Sequence, residues 1–419
     1  MNEGFGMRYI TPYALALGAT NVFIGFLSSV PSLIGNFSQL FTHKAMLKYS
    51  RKKIAFFGAL FQAIMWLFVI GVGFLFFVLH TNSFISPLLL VVVYSLLIVF
   101  GAFYSPAWNS WMKDLVSERS GKYFGFRSRI CGIVILISIL IAGFLLDFLK
   151  GFNLFLAFAV IFSIAFIARS VSAFLFLKKY EPEFKPQQGY YFNLWQFVRK
   201  MGGNNFGRFV IYISLFNLTV AIASPFFAVY MLKDLGFSYT SYMLVTLSPS
   251  FASLLFIPFW GKFSDKYGHI KMLRICGFLI PVIPILWFFF NKVYYLIAIE
   301  FFSGIIWAGF GFTASNFVYD AVTKQRMVIC VAYLNFINAI GVFIGATLGG
   351  ILSSVVQISF LRPLLLIFLI SGVLRLIVSL LLLPKLKEVK TVEPFKISKI
   401  KLIKPRDIWD FLNIRRIEF

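Results

Sequence analysis

The chain is poor in acidic residues, cysteine and histidine. Asp and Glu together number 15 in 419 residues, and there are three cysteines and three histidines. Cys131, Cys276 and Cys330 lie near or inside apolar runs, which excludes a disulfide framework, and neither they nor the histidines show metal-ligand spacing. The sequence also has no nucleophile elbow, phosphate loop or His/Asp cluster. We therefore predict no metal site, no cofactor and no enzymatic activity.

Apolar residues dominate what is present. They make up 60% of the chain and the mean hydropathy is +0.88, which excludes a soluble protein. A membrane span needs about 20 predominantly apolar residues, and it must be helical because lipid offers no partner for free backbone groups. The sequence thus predicts an all-α membrane protein of 12 transmembrane helices, the first of which, Phe5–Gly18, is short. The other eleven apolar runs are Val22–Phe41, Ile54–Leu79, Ile85–Trp111, Ile130–Leu146, Phe152–Leu177, Phe209–Leu232, Tyr239–Trp260, Met272–Phe290, Val293–Tyr319, Val328–Leu352 and Leu361–Leu383.

The cations indicate how the chain is oriented in the membrane. Alternate loops, together with the C-terminal tail, carry 32 Lys and Arg residues, whereas the opposite loops carry only Lys150, Lys233, Lys292 and Arg362. Because cytoplasmic loops are the ones rich in Lys and Arg, we predict that both termini lie in the cytoplasm and that the chain sits in the cell membrane. The net charge of +24 then indicates contact with anionic lipid of the bilayer and not with nucleic acid.

One loop between two apolar runs, residues 261 to 271, reads GKFSDKYGHIK. Its pattern of Gly261, Asp265, Lys266, Gly268 and Lys271 resembles the signature loop of the major facilitator superfamily of secondary transporters. The resemblance covers residues 1 to 384. It departs from the usual loop at two positions, where a leucine and one cation are replaced by Phe263 and His269.

The two halves of the chain repeat each other weakly. Asp114 and Asp320 are 206 residues apart, as are Arg169 and Arg375. Parallel six-helix repeats with a binding site between them are a transporter design. We predict an N-terminal bundle over residues 1–180, a cytoplasmic linker over 181–206 with a short helix in YYFNLWQFVRK, a C-terminal bundle over 207–384 and a basic cytoplasmic tail over 385–419. Comparison of the repeats also predicts that the first helix is truncated at its cytoplasmic end.

The resemblance implies that the loop at Gly261 is a conformational latch and not a solute site. Asp265 is expected to pair with Lys271 or Arg274, and Asp320 lies on the same face. The alternative is a turn with anchoring charges. The first half has no acid between residues 36 and 53, so the latch there is predicted to be one-sided or to work differently, with Asp114 receiving one of the cations at positions 51 to 53.

Polar residues on helices that line the cavity in the resembled fold are the candidates for solute or ion contact. Charged residues inside a membrane are functional hypotheses by default, and we predict that Arg8 and Glu300 meet across the cavity. The alternative for Glu300 is an outward-reaching side chain, and for the neutral residues it is a helix–helix hydrogen bond. A stripe of Ser28, Ser32 and Gln39 is expected to face the eleventh helix, whose Gly341, Gly345 and Gly349 predict close packing. The remaining candidates are Tyr104, Trp108, Asn109, Asn217, Trp307 and Asn316.

These patterns predict a secondary active transporter or facilitator that moves a small solute by alternating access. A proton or another ion is a candidate for coupling, with Glu300 as the best-placed buried acid. Two alternatives stay open from the sequence. One is a transport-dead membrane sensor or scaffold of the same fold, and the other is a polytopic membrane enzyme.

Overall fold

A computed structural model describes residues 1–115, 120–182, 193–322, 326–355 and 362–389, and within these ranges every regular element is helical. The chain begins with a π-helical turn, Asn2–Gly6, and a 3₁₀ turn, Met7–Tyr9. The helices that follow in the first half are α1 (Ile10–Ala16), α2 (Asn21–Gln39), α3 (Thr42–Lys48), α4 (Arg51–Phe77), α5 (Ile85–Leu115), α6 (Ser120–Leu149) and α7 (Leu154–Leu177). Those after it are α8 (Leu194–Lys200), α9 (Asn205–Ala221), α10 (Phe226–Val229), α11 (Tyr239–Tyr267), α12 (His269–Leu279), α13 (Val282–Leu286), α14 (Val293–Ala321), α15 (Met327–Val355) and α16 (Pro363–Leu382).

Ten segments of the described chain are long and apolar enough to cross a membrane, beginning with α4 and ending with α16. The first segment and α2 complete the predicted twelve. Helix α2 has 19 residues, but serine, asparagine and glutamine recur along it and lower its hydropathy. The predicted all-α membrane fold is confirmed. The predicted linker helix is also present as α8, where Asn193 and Gln196 form a capping box that satisfies backbone N–H groups at its start. Most of the predicted tail lies outside the described residues.

The structure divides into two compact units. The first combines residues 1–191, 213–244 and 328–371, and the second combines residues 192–212, 245–327 and 372–419. Helices α1 to α7 therefore lie in the first unit and α11, α12 and α14 mainly in the second. The division into bundles at residues 180 and 207 stays a prediction.

Small residues set the packing of α4, α5 and α7 in the first unit. The core cluster there contains Ala55, Ala59 and Ala173 beside Trp111 and Phe176. Alanine lets the helix backbones approach closely, and the two aromatic side chains fill the space that remains. This arrangement places Tyr104 and Trp108 of α5 against that packed face.

The glycine stripe of α15 packs closely, as predicted, and its partner is α9. A Cβ atom built at Gly341 would lie 2.6 Å from the carbonyl oxygen of Ser214. Cβ atoms at Gly345 and Gly349 would collide with the carbonyl oxygens of Leu218 in α9 and of Ile222 directly after it. Helix α2 approaches α15 at a different point, where a Cβ at Gly25 would lie 2.6 Å from the Ala346 carbonyl oxygen. The stripe thus serves helix–helix contact within the first unit.

Within the second unit, α11 and α14 are joined by side chains that reach backbone carbonyls. The Ser248 hydroxyl donates to the carbonyl of Ile297 at 2.7 Å, and the Trp260 indole N–H donates to that of Ile305 at 2.7 Å. Pro249 and Pro258 interrupt α11. A proline interior to a helix leaves one carbonyl without its usual donor. The side-chain donors between α11 and α14 therefore help to hold a proline-containing helix in place.

Candidate functional site

A cavity of about 370 Å³ lies between α1, α2 and α5 in the first unit. Its volume is within the range of small-molecule binding pockets. The cavity opens between helices that are otherwise apolar, so its polar side chains stand out chemically. The residues that line it are Met7, Ile10, Thr11, Leu27, Ser28, Pro31, Ser32, Gly35, Asn36, Gln39, Tyr94, Ile98 and Ala102.

Four polar side chains of this lining form no hydrogen bond to another described residue. They are the hydroxyls of Thr11, Ser28 and Tyr94 and the side-chain amide of Gln39. Ser28 and Gln39 are eleven residues apart on α2, so the polar track on this helix is about 16 Å long at 1.5 Å per residue. Polar groups inside a membrane need partners because hydrocarbon provides none. These side chains are therefore positioned to bind water or a polar solute.

The backbone of α2 adds an acceptor to the same cavity. Pro31 lies inside the helix and has no N–H group, so the carbonyl of Leu27 lacks its i+4 donor. Both residues belong to the cavity lining. Irregular backbone at membrane depth is tolerated where it lines a cavity.

The polar stripe of α2 was expected to face the eleventh helix, and this expectation is wrong. Ser28, Ser32 and Gln39 line the cavity with α1 and α5. The face of α2 that meets α15 instead contains Gly25. The reason is steric, because the closest approach between two helices requires the smallest side chain, and polar hydroxyls are left for the open side.

A second cavity, of about 360 Å³, lies between α11 and α14 in the second unit. Two predicted candidates, Trp307 and Asn316, line it, and the Asn316 amide donates to the Phe312 carbonyl of its own helix at 2.9 Å. Gly311 also lines it, and a Cβ built there would meet open space. Glu300, the predicted buried acid on the same helix, is not among the lining residues.

The aromatic stripe of α5 packs away from the first cavity. Tyr104 and Trp108 lie against the core cluster formed with α4 and α7. The Tyr104 hydroxyl contacts the Arg169 guanidinium of α7, which also lies over its ring at 5.0 Å. The prediction of these two residues as solute contacts is corrected, because their bulk fills space between helices. Asn109 is exposed and is not among the residues of either cavity.

Cations flank this core at the end predicted to be cytoplasmic. The Arg127 guanidinium lies 4.4 Å from the centre of the Trp108 ring. Lys179 lies beyond the end of α7, where burial and the positive charge of Arg127 lower the pKa of its ammonium group.

Arg8 and Glu300 have partners other than each other, so the predicted pairing is replaced by two local arrangements. The Arg8 guanidinium donates to Glu3 at 2.9 Å within the first unit. Glu300 accepts a hydrogen bond from the Trp287 indole N–H at 3.1 Å within the second unit. The sequence spacing could place both residues at membrane depth. It could not show that each of them forms a hydrogen bond with another residue nearby.

The surroundings of Glu300 contain a second buried charge. Arg375 on α16 is 3% exposed, and the opposite charge of Glu300 acts on it. Ser303, one turn after Glu300 on α14, is also buried. A buried acid near a buried cation keeps the net charge of this region close to zero.

Another predicted candidate, Asn217 on α9, donates a hydrogen bond to Asn338 of α15 at 2.7 Å. Its side chain therefore joins two helices.

A buried arginine organises the start of α4. The Arg51 side chain is 0% exposed and donates to Asp114 at the end of α5 at 2.5 Å. It also donates to Ser110 and to the carbonyl of Pro182. The carboxylate of Glu181, which follows α7, accepts the backbone N–H of Lys52 in the first turn of α4. The prediction that Asp114 receives a cation from residues 51 to 53 is confirmed.

The start of α12 carries a cluster of the same design. His269 Nε2 lies 3.1 Å from the Asp320 carboxylate at the end of α14. Glu388, which follows α16, accepts the backbone N–H of Ile270 at 2.7 Å. Gly268 caps this helix with φ of 89°, a left-handed conformation that favours glycine. The first half therefore has a counterpart of this cluster that is built from different residues, which agrees with the second of the two arrangements expected for it. A latch role for either cluster stays a prediction.

Asp265 takes no part in that cluster. Its side chain is exposed and has no ion pair to another described residue. Arg274, one of its predicted partners, donates to the carbonyl of Leu386 at 3.1 Å. The expected pairing of Asp265 is corrected, because the Asp265 side chain is exposed whereas Arg274 turns to the segment after α16. Lys266 lies over the Tyr267 ring at 5.5 Å, and Lys271 is partly buried.

A further carboxylate joins α6 to α11 within the first unit. Asp147 near the end of α6 accepts the backbone N–H groups of Tyr239 and Thr240 and the Thr240 hydroxyl, at 3.1, 2.7 and 2.5 Å. Lys150 also contacts this carboxylate, at 2.6 Å. An acid at a helix start satisfies free N–H groups and interacts favourably with the helix dipole. No local sequence pattern could indicate this contact, because its residues are more than ninety positions apart.

Thr11 and Tyr94 were also missed from the sequence. Each is one polar residue in an apolar segment, a pattern that usually indicates a helix–helix hydrogen bond. The partial signal was the serine stripe of α2, which identifies one wall of the cavity. Only the structure shows which residues form the other walls.

Comparison with known proteins places this geometry in a family. The family model described as Major Facilitator Superfamily matches residues 4–202 and 205–416. A search of curated protein sequences gives no match.

Solved structures with the same fold are transporters. The chain is similar to a mutant of the nucleoside transporter NupG, with a TM-score of 0.70 at 14% identity over 92% of this chain and 96% of that one. It is also similar to a bacterial homologue of the iron transporter ferroportin in an inward-facing state (TM-score 0.65, 14% identity, 90% and 94% coverage). A bacterial homologue of the human lysosomal transporter Spinster gives a TM-score of 0.62 at 14% identity, with 92% and 94% coverage. The match of the family model over nearly the whole chain shows that this protein belongs to the major facilitator superfamily.

Proposed function

We propose that this protein moves a small solute across the cell membrane by alternating access, as a secondary active transporter or a facilitator. The observation that carries the proposal is the cavity between α1, α2 and α5, where Thr11, Ser28, Gln39 and Tyr94 present polar groups that no described residue satisfies. A purely structural helix interface would pair such groups within the protein. Membership of a transporter superfamily supports the same conclusion.

The orientation follows from the loop charges. We infer cytoplasmic termini because 32 Lys and Arg residues lie in one set of loops and the tail, against four in the opposite set. On this basis the clusters at Arg51 and His269 lie at the cytoplasmic side, and Asp147 lies at the external side.

These clusters are the proposed control points of alternating access. The contacts of Arg51 with Asp114 and of His269 with Asp320 each join the start of one helix to the end of another. Asp147 joins α6 to α11 in the same manner. Alternating access requires that contacts at one side break when those at the other form. The loop at Gly261, with Asp265, Lys266, Gly268 and Lys271, is proposed to take part through the rigid turn that precedes α12.

Proton coupling is a finer proposal that centres on Glu300. This carboxylate lies at membrane depth on α14 and is hydrogen-bonded to Trp287, with Arg375 as the nearby opposite charge. A buried acid of this kind can exchange a proton when its partner moves. A facilitator without coupling fits the same fold.

The alternatives from the sequence are disfavoured by different observations. A transport-dead sensor or scaffold would have no need for unpartnered polar groups around a cavity. A membrane enzyme would need an arranged catalytic group, and the family matched by the chain is one of transporters.

The proposed function is tested by uptake into proteoliposomes that contain the purified chain. The first solutes are nucleosides, because one structural neighbour is a nucleoside transporter, followed by sugars, amino acids and organic ions. We expect saturable uptake of at least one solute class. Failure of every class to enter, with correctly folded protein, contradicts the proposal.

A disulfide that can be formed and then reduced provides a control for uptake by alternating access. Cysteines at the contacting positions 147 and 240, in the variant D147C with T240C, can form a disulfide that holds α6 against α11. Oxidation should stop uptake and reduction should restore it, because alternating access needs this contact to open. The wild-type chain treated with the same oxidant controls for its own three cysteines. Uptake that continues in the oxidised variant would indicate leakage and not a carrier.

A further inference from the structure

The cavity between α1, α2 and α5 has a chemistry that narrows the solute. We propose that it binds an uncharged solute carrying several hydroxyl groups, such as a polyol, a sugar or a nucleoside. This inference rests on the proposed transport function and names the class of solute for that same cavity.

The absence of charge on the walls is the first step. None of the described residues that line the cavity is an acid, a lysine, an arginine or a histidine. The nearby ion pair of Arg8 and Glu3 is closed on itself at 2.9 Å and is not part of the lining. A charged solute would enter a region of low dielectric constant without an opposite charge, which is costly. The walls therefore favour a solute of no net charge.

The pattern of donors and acceptors is the second step. The hydroxyls of Thr11, Ser28 and Tyr94 can each donate and accept, and the Gln39 amide offers both functions on separate atoms. The Leu27 carbonyl, opposite the missing N–H of Pro31, adds an acceptor. A solute hydroxyl also both donates and accepts, so it can satisfy any of these groups. An apolar solute would leave these groups without hydrogen-bond partners, which is unfavourable in a site shielded from water.

The remaining walls define the rest of the solute. Met7, Ile10, Leu27 and Ile98 contribute apolar surface to the same cavity. A solute with hydroxyls on one edge and C–H groups or a ring on the other can contact both kinds of wall. The polar residues of α2 extend over about 16 Å, which is much longer than one hydroxyl group. Several hydroxyl groups of one solute can therefore bind along α2 at the same time. A solute with a single hydroxyl group would satisfy only one or two of these residues.

Matched solutes that differ only in charge test the inference directly. The first set is glucose, glucosamine and gluconate, and the second is uridine and uridine monophosphate. Uptake of each is measured into proteoliposomes with the full chain. We expect uptake of glucose, uridine or both, and at least tenfold slower uptake of the charged partners. The two sets also distinguish a sugar from a nucleoside as the source of the hydroxyl groups.

Two neighbouring serines give a matched pair of variants. Ser28 faces the cavity, whereas Ser29 is buried and donates to the Gly25 carbonyl of its own helix at 2.8 Å. S28A should slow uptake of the uncharged solute by about three- to tenfold through the loss of one hydrogen bond. S29A should leave it within twofold. Y94F should act like S28A, because it removes only the phenol oxygen.

A charge inserted into the cavity tests the same inference by a gain of function. Q39E places a carboxylate at one end of the α2 track. It should lower glucose uptake and raise glucosamine uptake relative to glucose by at least tenfold, because the new carboxylate can pair with the ammonium group. Because the expected result is a relative gain of glucosamine uptake, misfolding of the variant could not produce it.

The outcomes separate the two levels of the proposal. Uptake of a charged solute without its uncharged partner overturns the solute class but leaves transport standing, and it would indicate that Arg8 or Glu3 breaks its pair to bind the solute. Equal effects of S28A and S29A on uptake also overturn the proposed solute class. An unchanged ratio of glucosamine uptake to glucose uptake in Q39E overturns it as well. If no uncharged solute enters but another class does, only the inference fails. If no solute of any class enters, the proposed function fails as well.

Discussion

His269 Nε2 lies 3.1 Å from Oδ2 of Asp320, and this contact is an ion pair only while the imidazole is protonated. The corresponding residue of the first half is Arg51, which contacts Asp114. Glu181 and Glu388, 207 residues apart, accept the next backbone N–H in each cluster. The halves therefore share one arrangement, which is built on a guanidinium group in the first half and on an imidazole in the second.

A double-mutant cycle should detect the contact of His269 with Asp320. We expect the effects of H269Q and D320N on the free energy of unfolding to be non-additive, because each change removes one partner of the same contact. A hydrogen bond to a charged group contributes about 2 kcal/mol, which sets the scale of the coupling energy. Denaturant unfolding of the purified protein measures it, with Glu388 and Arg274 left unchanged.

The matching cycle of R51Q with D114N is the comparison. Its coupling energy should also differ from zero, because Arg51 and Asp114 form the equivalent contact of the first half. A coupling energy of zero in the His269 cycle, beside a non-zero value in the Arg51 cycle, would show that the imidazole does not stabilise the start of α12 through Asp320.

The hydrogen bond between Trp287 and Glu300 predicts a second coupling. W287F keeps most of the ring but removes the N–H donor, so a buried carboxylate loses a partner. We expect a loss of about 2 kcal/mol in the free energy of unfolding. In the background of E300Q the same change should cost less, because the acceptor is no longer charged. Strict additivity of W287F and E300Q would contradict an interaction between the two side chains.

The glycine contact between α15 and α9 predicts a steric effect. G345A places a methyl group against the Leu218 carbonyl and should lower the unfolding free energy by about 1–3 kcal/mol. The control is G71A in α4, where a Cβ meets open space. There, alanine should be neutral or slightly stabilising, because it favours helix more than glycine does. Thermal unfolding of both variants decides the matter, and an equal response would remove close packing as the role of the stripe.

Loss of Asp147 should open the side of the protein where α6 meets α11. D147A removes three hydrogen bonds to Tyr239 and Thr240, and a shift of about 1–3 kcal/mol between conformations is the usual scale of such coupling. A cysteine in the cavity, T11C, should then react faster with an impermeant thiol reagent applied from outside. T240V is the milder comparison, since it removes only the hydroxyl donor. Unchanged labelling in D147A would limit Asp147 to capping a helix.

The orientation predicts which loop positions an external reagent can reach. In a chain without its native cysteines, cysteines at the exposed positions Ser83 and Asn291 should react from outside intact cells. Cysteines at the exposed positions Lys48 and Lys200 should react only after the membrane is permeabilised. The reverse pattern would overturn the orientation that the loop cations indicate.

The sequence by itself determined the class of protein, the helical fold and the superfamily. Apolar runs of membrane length must be helical, because lipid offers no hydrogen-bond partner for free backbone groups. The loop at Gly261 carried the resemblance to the superfamily. The stripe of Gly341, Gly345 and Gly349 likewise predicted close packing, because glycine spaced by four residues removes side chains from one helix face. These are local properties, and each can be read without knowing what lies opposite.

Tertiary structure alone decided which side chains meet. Arg8 and Glu300 each have a nearer partner, and Tyr104 lies in a packed core, although its spacing also suited a cavity wall. The cavity itself joins Thr11, Ser28 and Tyr94 from three helices, and no spacing along one helix encodes that meeting. The physical reason is that helical periodicity fixes the direction of a side chain only relative to its own helix, whereas burial and pairing depend on the helix packed against it.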